Sequence, residues 1–72
     1  MLLRTYDLNP DGVRIVVHWN AFVVGSSIFV PCVNTTKTVQ QLTAICGDNE
    51  WQTITKLRIE NGRLGVRIWR TL

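Results

Sequence analysis

The dipeptide Asn61-Gly62 constrains this chain more than any other feature of it. A two-residue type I′ turn needs positive φ at both central positions, which asparagine and glycine tolerate, and it leaves no slack in the pairing of the strands it joins. The flanking residues 51–60 and 63–70 are rich in β-branched and aromatic side chains, as strands require. Such a turn sets Ile59 opposite Leu64, Leu57 opposite Val66 and Thr55 opposite Ile68, and this set is expected to look inward. The other side of the hairpin then pairs Glu60 with Arg63, Arg58 with Gly65, Lys56 with Arg67 and Ile54 with Trp69.

Upstream, Asn34-Thr35-Thr36 offers an N-cap, and Val39, Leu42, Ile45 and Cys46 recur on one helical face before Gly47. The spacing predicts a helix of about three turns over residues 37–46. Residues 20–31 carry an apolar, β-branched run interrupted by Gly25-Ser26 and closed by Pro31, which reads as a short buried strand. Residues 2–8 and 13–19 read as a first hairpin around Asn9-Pro10-Asp11-Gly12, with three- and four-residue loops both open and the register therefore unassigned. The expected order is β-β-β-α-β-β. This is an α+β class: a small antiparallel sheet with one helix on one face. The whole of 1–72 is expected to be a single domain, with residues 1–19 an N-terminal hairpin and residues 20–72 a β-α-β-β core.

At 46% hydrophobic and 18% charged residues, the chain is too apolar for disorder. Its longest apolar stretch, residues 21–24, is far short of the ~20 residues that span a bilayer, and Arg4, Tyr6 and Asp7 interrupt any leader pattern. No membrane association and no targeting segment are expected. So small a domain buries a modest share of its surface and calls for reinforcement. About eleven helical residues between Cys32 and Cys46 would hold them roughly 16 Å apart, beyond disulfide reach, so free thiols in a reducing compartment are expected. Two cysteines and the single His18 match no zinc spacing, so neither metal nor cofactor is expected. Oligomerisation remains, and a homodimer is the default expectation.

No catalytic constellation is expected. His18 stands among Val16, Val17 and Trp19 and reads as a partly buried strand residue, while Asp7, Asp11, Asp48, Glu50 and Glu60 are scattered over turns and strand ends. The chain therefore reads as a non-enzyme. The informative surface is the last hairpin, where Lys56, Arg58, Arg63 and Arg67 share a face with Trp69. Like charges directly opposite one another destabilise a sheet, so a face that keeps four cations beside a tryptophan suits an anionic, stackable partner. Gly65 would allow close backbone approach there. The plainer reading is a solubilising face with Trp69 packed on the first hairpin. The helix start at Thr35, Thr36 and Lys37 is a second, weaker anion candidate, more simply an ordinary cap. Tyr6, Trp19, Phe22, Phe29 and Trp51 read most simply as core or interface aromatics, and residues 21–24 lack alternation, so where they are not buried within the chain Phe22 and Val24 are candidate contacts for a second copy.

Two segments carry a resemblance. Residues 24–31, Val-Gly-Ser-Ser-Ile-Phe-Val-Pro, and residues 65–70, Gly-Val-Arg-Ile-Trp-Arg, resemble a signature of very small bacteriophage-encoded proteins. In these a "VGxSFFVP"-like strand precedes a helix and a terminal "GVRVWR"-like strand. The likeness spans residues 20–70 and departs from the commonest form at Ser26, where that form carries an acid. It implies a viral protein acting in the host cytoplasm and an approximate architecture, and it implies no activity. The leading expectation is a small non-enzymatic binding protein that contacts DNA or RNA phosphates through Lys56, Arg58, Arg63, Arg67 and Trp69. Beside it stand a protein-interaction module that modulates a host enzyme through an apolar patch around Phe22 and Trp69, and a structural homo-oligomer.

Overall fold

In a computed structural model that describes residues 7–72, the Asn61-Gly62 turn forms with φ of 53° and 76° at its two central residues. It joins β2 (Thr53–Glu60) to β3 (Arg63–Arg70). The register is the expected one along the whole hairpin, from Glu60 opposite Arg63 to Ile54 opposite Trp69. β1 (Ser27–Pro31) pairs antiparallel with the other side of β3, from Ser27 opposite Trp69 to Pro31 opposite Gly65. The last strand in sequence is thus the central one, in the order β1-β3-β2. Together with one helix packed on one face, this is a small α+β domain.

The helix α1 (Thr35–Asp48) is capped where the sequence indicates, Asn34 accepting a hydrogen bond from the Lys37 amide at 3.0 Å. It buries Leu42, Ile45 and Cys46 with the wholly buried Thr38, whose hydroxyl lies 3.1 Å from the Asn34 carbonyl and 2.9 Å from the Cys32 thiol. Gly47 does not end it. The stop is a Schellman arrangement in which the Glu50 amide donates to the Gly47 carbonyl and the Trp51 amide to the Cys46 carbonyl. Glu50 holds the left-handed position at φ 59°, a place glycine usually takes.

The expected first hairpin survives as a single bridge, Leu8 to Ile15, around a turn closed by the Gly12 amide on the Asn9 carbonyl. Residues 1–6, and with them most of the expected first strand, lie outside the described residues. Residues 16–18 form no strand, and Trp19–Ala21 turns into a short 3-10 helix. Aromatic packing explains the departure. The turn brings Trp19 and Phe22 onto Trp51, with ring centroids 5.5, 5.9 and 5.8 Å apart around the triad. A continuing strand would point Phe22 away from Trp51. His18 is exposed at the head of this turn rather than partly buried in a strand.

The inner face of the hairpin is only half covered. Val66 and Ile68 are fully buried, yet Leu57 is 62% exposed, Ile59 72% and Leu64 44%. A helix with its side chains is about 10–12 Å across and covers about two strands spaced near 4.8 Å. Here α1 lies against β3 and the start of β2, which leaves Leu57 and Ile59 of β2 and the hairpin tip bare.

At Gly65 the backbone of β1 and the Phe29 ring leave no room for a side chain on β3. A Cβ there would collide with the Val30 carbonyl oxygen and lie 2.7 Å from Phe29 Cζ and 2.9 Å from Pro31 Cα. The absent side chain is filled by a neighbouring strand and the Phe29 ring, so it opens no space for a ligand. Gly65→Ala is expected to cost about 1–3 kcal/mol through overpacking. Gly47→Ala, inside the helix with nothing within 4 Å, is expected to stabilise by about 0.5–1 kcal/mol. Urea unfolding of the two variants checks the pair, and a shift of the same sign in both would refute the close-approach argument.

Candidate nucleic-acid interface

Side-chain alternation places Ser27, Phe29 and Pro31 of β1, Arg63, Gly65, Arg67 and Trp69 of β3, and Ile54, Lys56, Arg58 and Glu60 of β2 on the face away from α1. No α-helix or strand of the described residues lies over this outer face. All five sequence-derived site residues therefore share one surface.

They are not equivalent. Arg67 is committed: its Nε and Nη2 donate to the two carboxylate oxygens of Glu60 at 2.7 Å each, its Nη1 donates to Ser27 Oγ at 2.6 Å, and its guanidinium lies 5.7 Å from the Phe29 ring centre. Arg58 makes a looser contact with Glu60 at 3.3 Å. Lys56 and Arg63 are exposed and form no ion pair among the described residues, which leaves them as the free cations of the face there. Trp69 is partly buried between Ser27 and the exposed Ile54.

One guanidinium also links the two outer strands across β3. Ser27 of β1 sits level with Trp69 and Glu60 of β2 level with Arg63. Arg67 lies between these levels on the central strand, and its long side chain reaches both.

The hydrogen bonds from Arg67 hold the Glu60 carboxyl below the usual carboxylate range, with the charges of Arg67 and Arg58 adding to the effect. The same pairing raises Arg67 further above its already high value. Asp11 is also lowered, chiefly by the Val33 amide and then by the Asn34 amide, each donating to one carboxylate oxygen at 2.8 Å. The turn residue Asp11 therefore ties the N-terminal segment to the approach to α1. Gln41 adds a second tie, exchanging hydrogen bonds with the Asn9 amide and side chain at 3.0 and 2.7 Å. Neither partnership is visible in the sequence, because each joins residues more than twenty positions apart. Arg70, the last cation of the strand, lies 4.6 Å from the Trp51 ring centre and donates to the Phe22 carbonyl, so it serves the core.

The candidate contacts at residues 21–24 separate. Phe22 is 1% exposed and belongs to the core, so it is no surface contact, whereas Val24 is exposed. Cys32 and Cys46 are both free and buried, and burial pushes the Cys46 thiol up so that it stays protonated. Among the described residues, no cluster of three or more His, Cys, Asp or Glu side chains could hold a metal ion, and no helix is long and apolar enough to cross a membrane.

No protein-family model, curated protein or solved structure matches the chain.

Both lowered carboxyls give a signed pH dependence. Their contribution to stability is fully present above the unfolded carboxylate value, about pH 4, and is lost as the pH falls through the lower folded values. Glu60→Gln and Asp11→Asn are each expected to flatten the fall of stability below about pH 4. Urea midpoints measured from pH 2 to 6 check this, and an unchanged slope in both variants would contradict the pairing.

Proposed function

We propose that this chain is a small non-enzymatic binding protein, a bacteriophage product acting in the host cytoplasm, that takes single-stranded DNA or RNA across its outer sheet face. The observation that carries this reading is the juxtaposition on one uncovered face of Trp69 with Lys56, Arg58 and Arg63. Backbone phosphates would lie against the three cations while a base stacks on the indole, a combination that tolerates any sequence. The helix, with only Lys37, Gln40 and Gln41 as long polar residues, offers little for reading base edges in a major groove. The phage source rests on the resemblance of residues 24–31 and 65–70 alone.

Arg67 takes a different role from the one its sequence position suggests. Bound to Glu60 and Ser27, it shapes the face, and Lys56 and Arg63 are the cleaner probes of phosphate contact.

The test is fluorescence anisotropy of labelled single-stranded DNA and RNA at 50 and 200 mM salt. Three phosphate contacts imply a salt slope near −2 for single strands, or about a twentyfold loss of affinity between the two conditions. Lys56→Glu and Arg63→Glu should each weaken binding, while Lys37→Glu, the same charge change on the helix, should not. Glu60→Gln, which releases Arg67 from its carboxylate, is expected to tighten binding at low salt and steepen the slope by about 0.7. Trp69→Leu should cost about tenfold or more through lost stacking. Absence of binding at 50 mM salt, or equal effects of Lys56→Glu and Lys37→Glu, would refute the proposal.

A further inference from the structure

The open edge of β2 presents a second surface, which differs from the outer face in geometry and shares Lys56 and Arg58 with it. Residues flanking a two-residue turn exchange backbone hydrogen bonds, and the exchange recurs at every second pair along an antiparallel hairpin. In this register Glu60, Arg58, Lys56 and Ile54 bond to β3. Thr53, Thr55, Leu57 and Ile59 consequently direct their N–H and C=O groups away from it. The strand is eight residues long and holds no proline, glycine or bulge that would blunt the edge. The opposite edge of the sheet differs, because β1 is five residues long and ends in Pro31, which has no N–H to give.

The side chains beside this edge are sorted by face. On the inner side Leu57 and Ile59 are largely exposed, and they run on to Leu64. On the outer side stand Lys56 and Arg58, and the acid of that strand, Glu60, is occupied by Arg67 and Arg58. A strand added here would carry apolar side chains at the residues whose backbone bonds to β2, and acidic side chains at the residues between them.

A second copy of this chain does not supply that pattern. Two β2 strands paired about a two-fold axis at Leu57 would place Lys56 opposite Arg58 twice. An axis at Lys56 or Arg58 would set that cation against its own copy. Like charges directly opposite are destabilising, so full overlap of two β2 edges is disfavoured.

We propose that the β2 edge takes an extended segment of a protein partner in which apolar and acidic residues alternate, added as a fourth strand to the sheet. Main-chain bonds to Thr53, Thr55, Leu57 and Ile59 hold the segment, Leu57 and Ile59 pack against its apolar side chains, and Lys56 and Arg58 select its acids. This site is independent of base stacking on Trp69.

A capped eight-residue peptide alternating valine and glutamate serves as the probe, with amide hydrogen exchange of the intact chain followed by NMR. Saturating peptide is expected to slow exchange about tenfold or more at the Thr53, Thr55, Leu57 and Ile59 amides. Ile54, Lys56, Arg58 and Glu60, already bonded to β3, should change little. The same peptide N-methylated at its valines should give no protection, and one alternating valine with lysine should bind at least tenfold more weakly. Peptide binding that survives N-methylation, or no protection at the four amides, overturns the proposal. Protection that rises with protein concentration in the absence of peptide assigns the edge to a second copy and overturns it too. A single-stranded oligonucleotide tested in parallel should perturb Trp69 fluorescence without protecting the four amides, so the edge and the outer face can fail separately.

Discussion

A single helix has a fixed width, and in this chain it must serve a three-stranded sheet. With side chains, α1 is broad enough to seal about two strands. The N-terminal segment adds Leu8, Trp19 and Phe22 to the same side, so the whole core collects between these pieces and the β1–β3 pair. Everything else about the surface is a consequence. β2 is held by its bonds to β3, with Leu57 and Ile59 uncovered on its inner side, and no α-helix or strand of the described residues covers the opposite face of the three strands. Small domains often meet the resulting shortfall in buried area with disulfides or a metal. This one uses close strand packing at Gly65 and an aromatic triad of Trp19, Phe22 and Trp51.

What the sequence made legible follows from how local each signal is. Asn61-Gly62 dictates a backbone conformation at two adjacent residues, and the register of sixteen more follows from it without reference to the rest of the molecule. The helix and its Asn34 cap are local in the same way. The failures are long-range. Residues 13–19 look like a strand because Val13, Ile15 and Val17 alternate, yet the demand of Trp51 for neighbours more than twenty-five residues upstream turns the chain at Trp19. Phe22 reads as either a core or an interface aromatic for want of alternation around it, and packing on the same distant indole places it in the core.

The basic face shows the same limit in electrostatic form. Sequence position gives the side of the sheet for Lys56, Arg58, Arg63 and Arg67 correctly, since alternation is a property of the strand. It gives no account of which cations are spoken for. Arg67 and Glu60 are seven residues apart in sequence and on different strands, and the length of their side chains lets them meet across the hairpin. The effect is to divide four similar-looking charges into one that shapes the surface, one half-engaged, and two free to meet a ligand.

The order β1-β3-β2 also bears on how the chain acquires its structure. The strand at the centre is the last of the three to be synthesised. Until it emerges, β1 has nothing to pair with for more than thirty residues of chain, and β2 has no partner at all. The helix can flicker into existence early, because its contacts are local. No part of the sheet can form before β3 is present. Its assembly then starts from the fast local hairpin at Asn61-Gly62 and finishes when the distant β1 pairs with the free side of β3. An interruption anywhere in β3 would therefore leave β1 and β2 without any sheet to join.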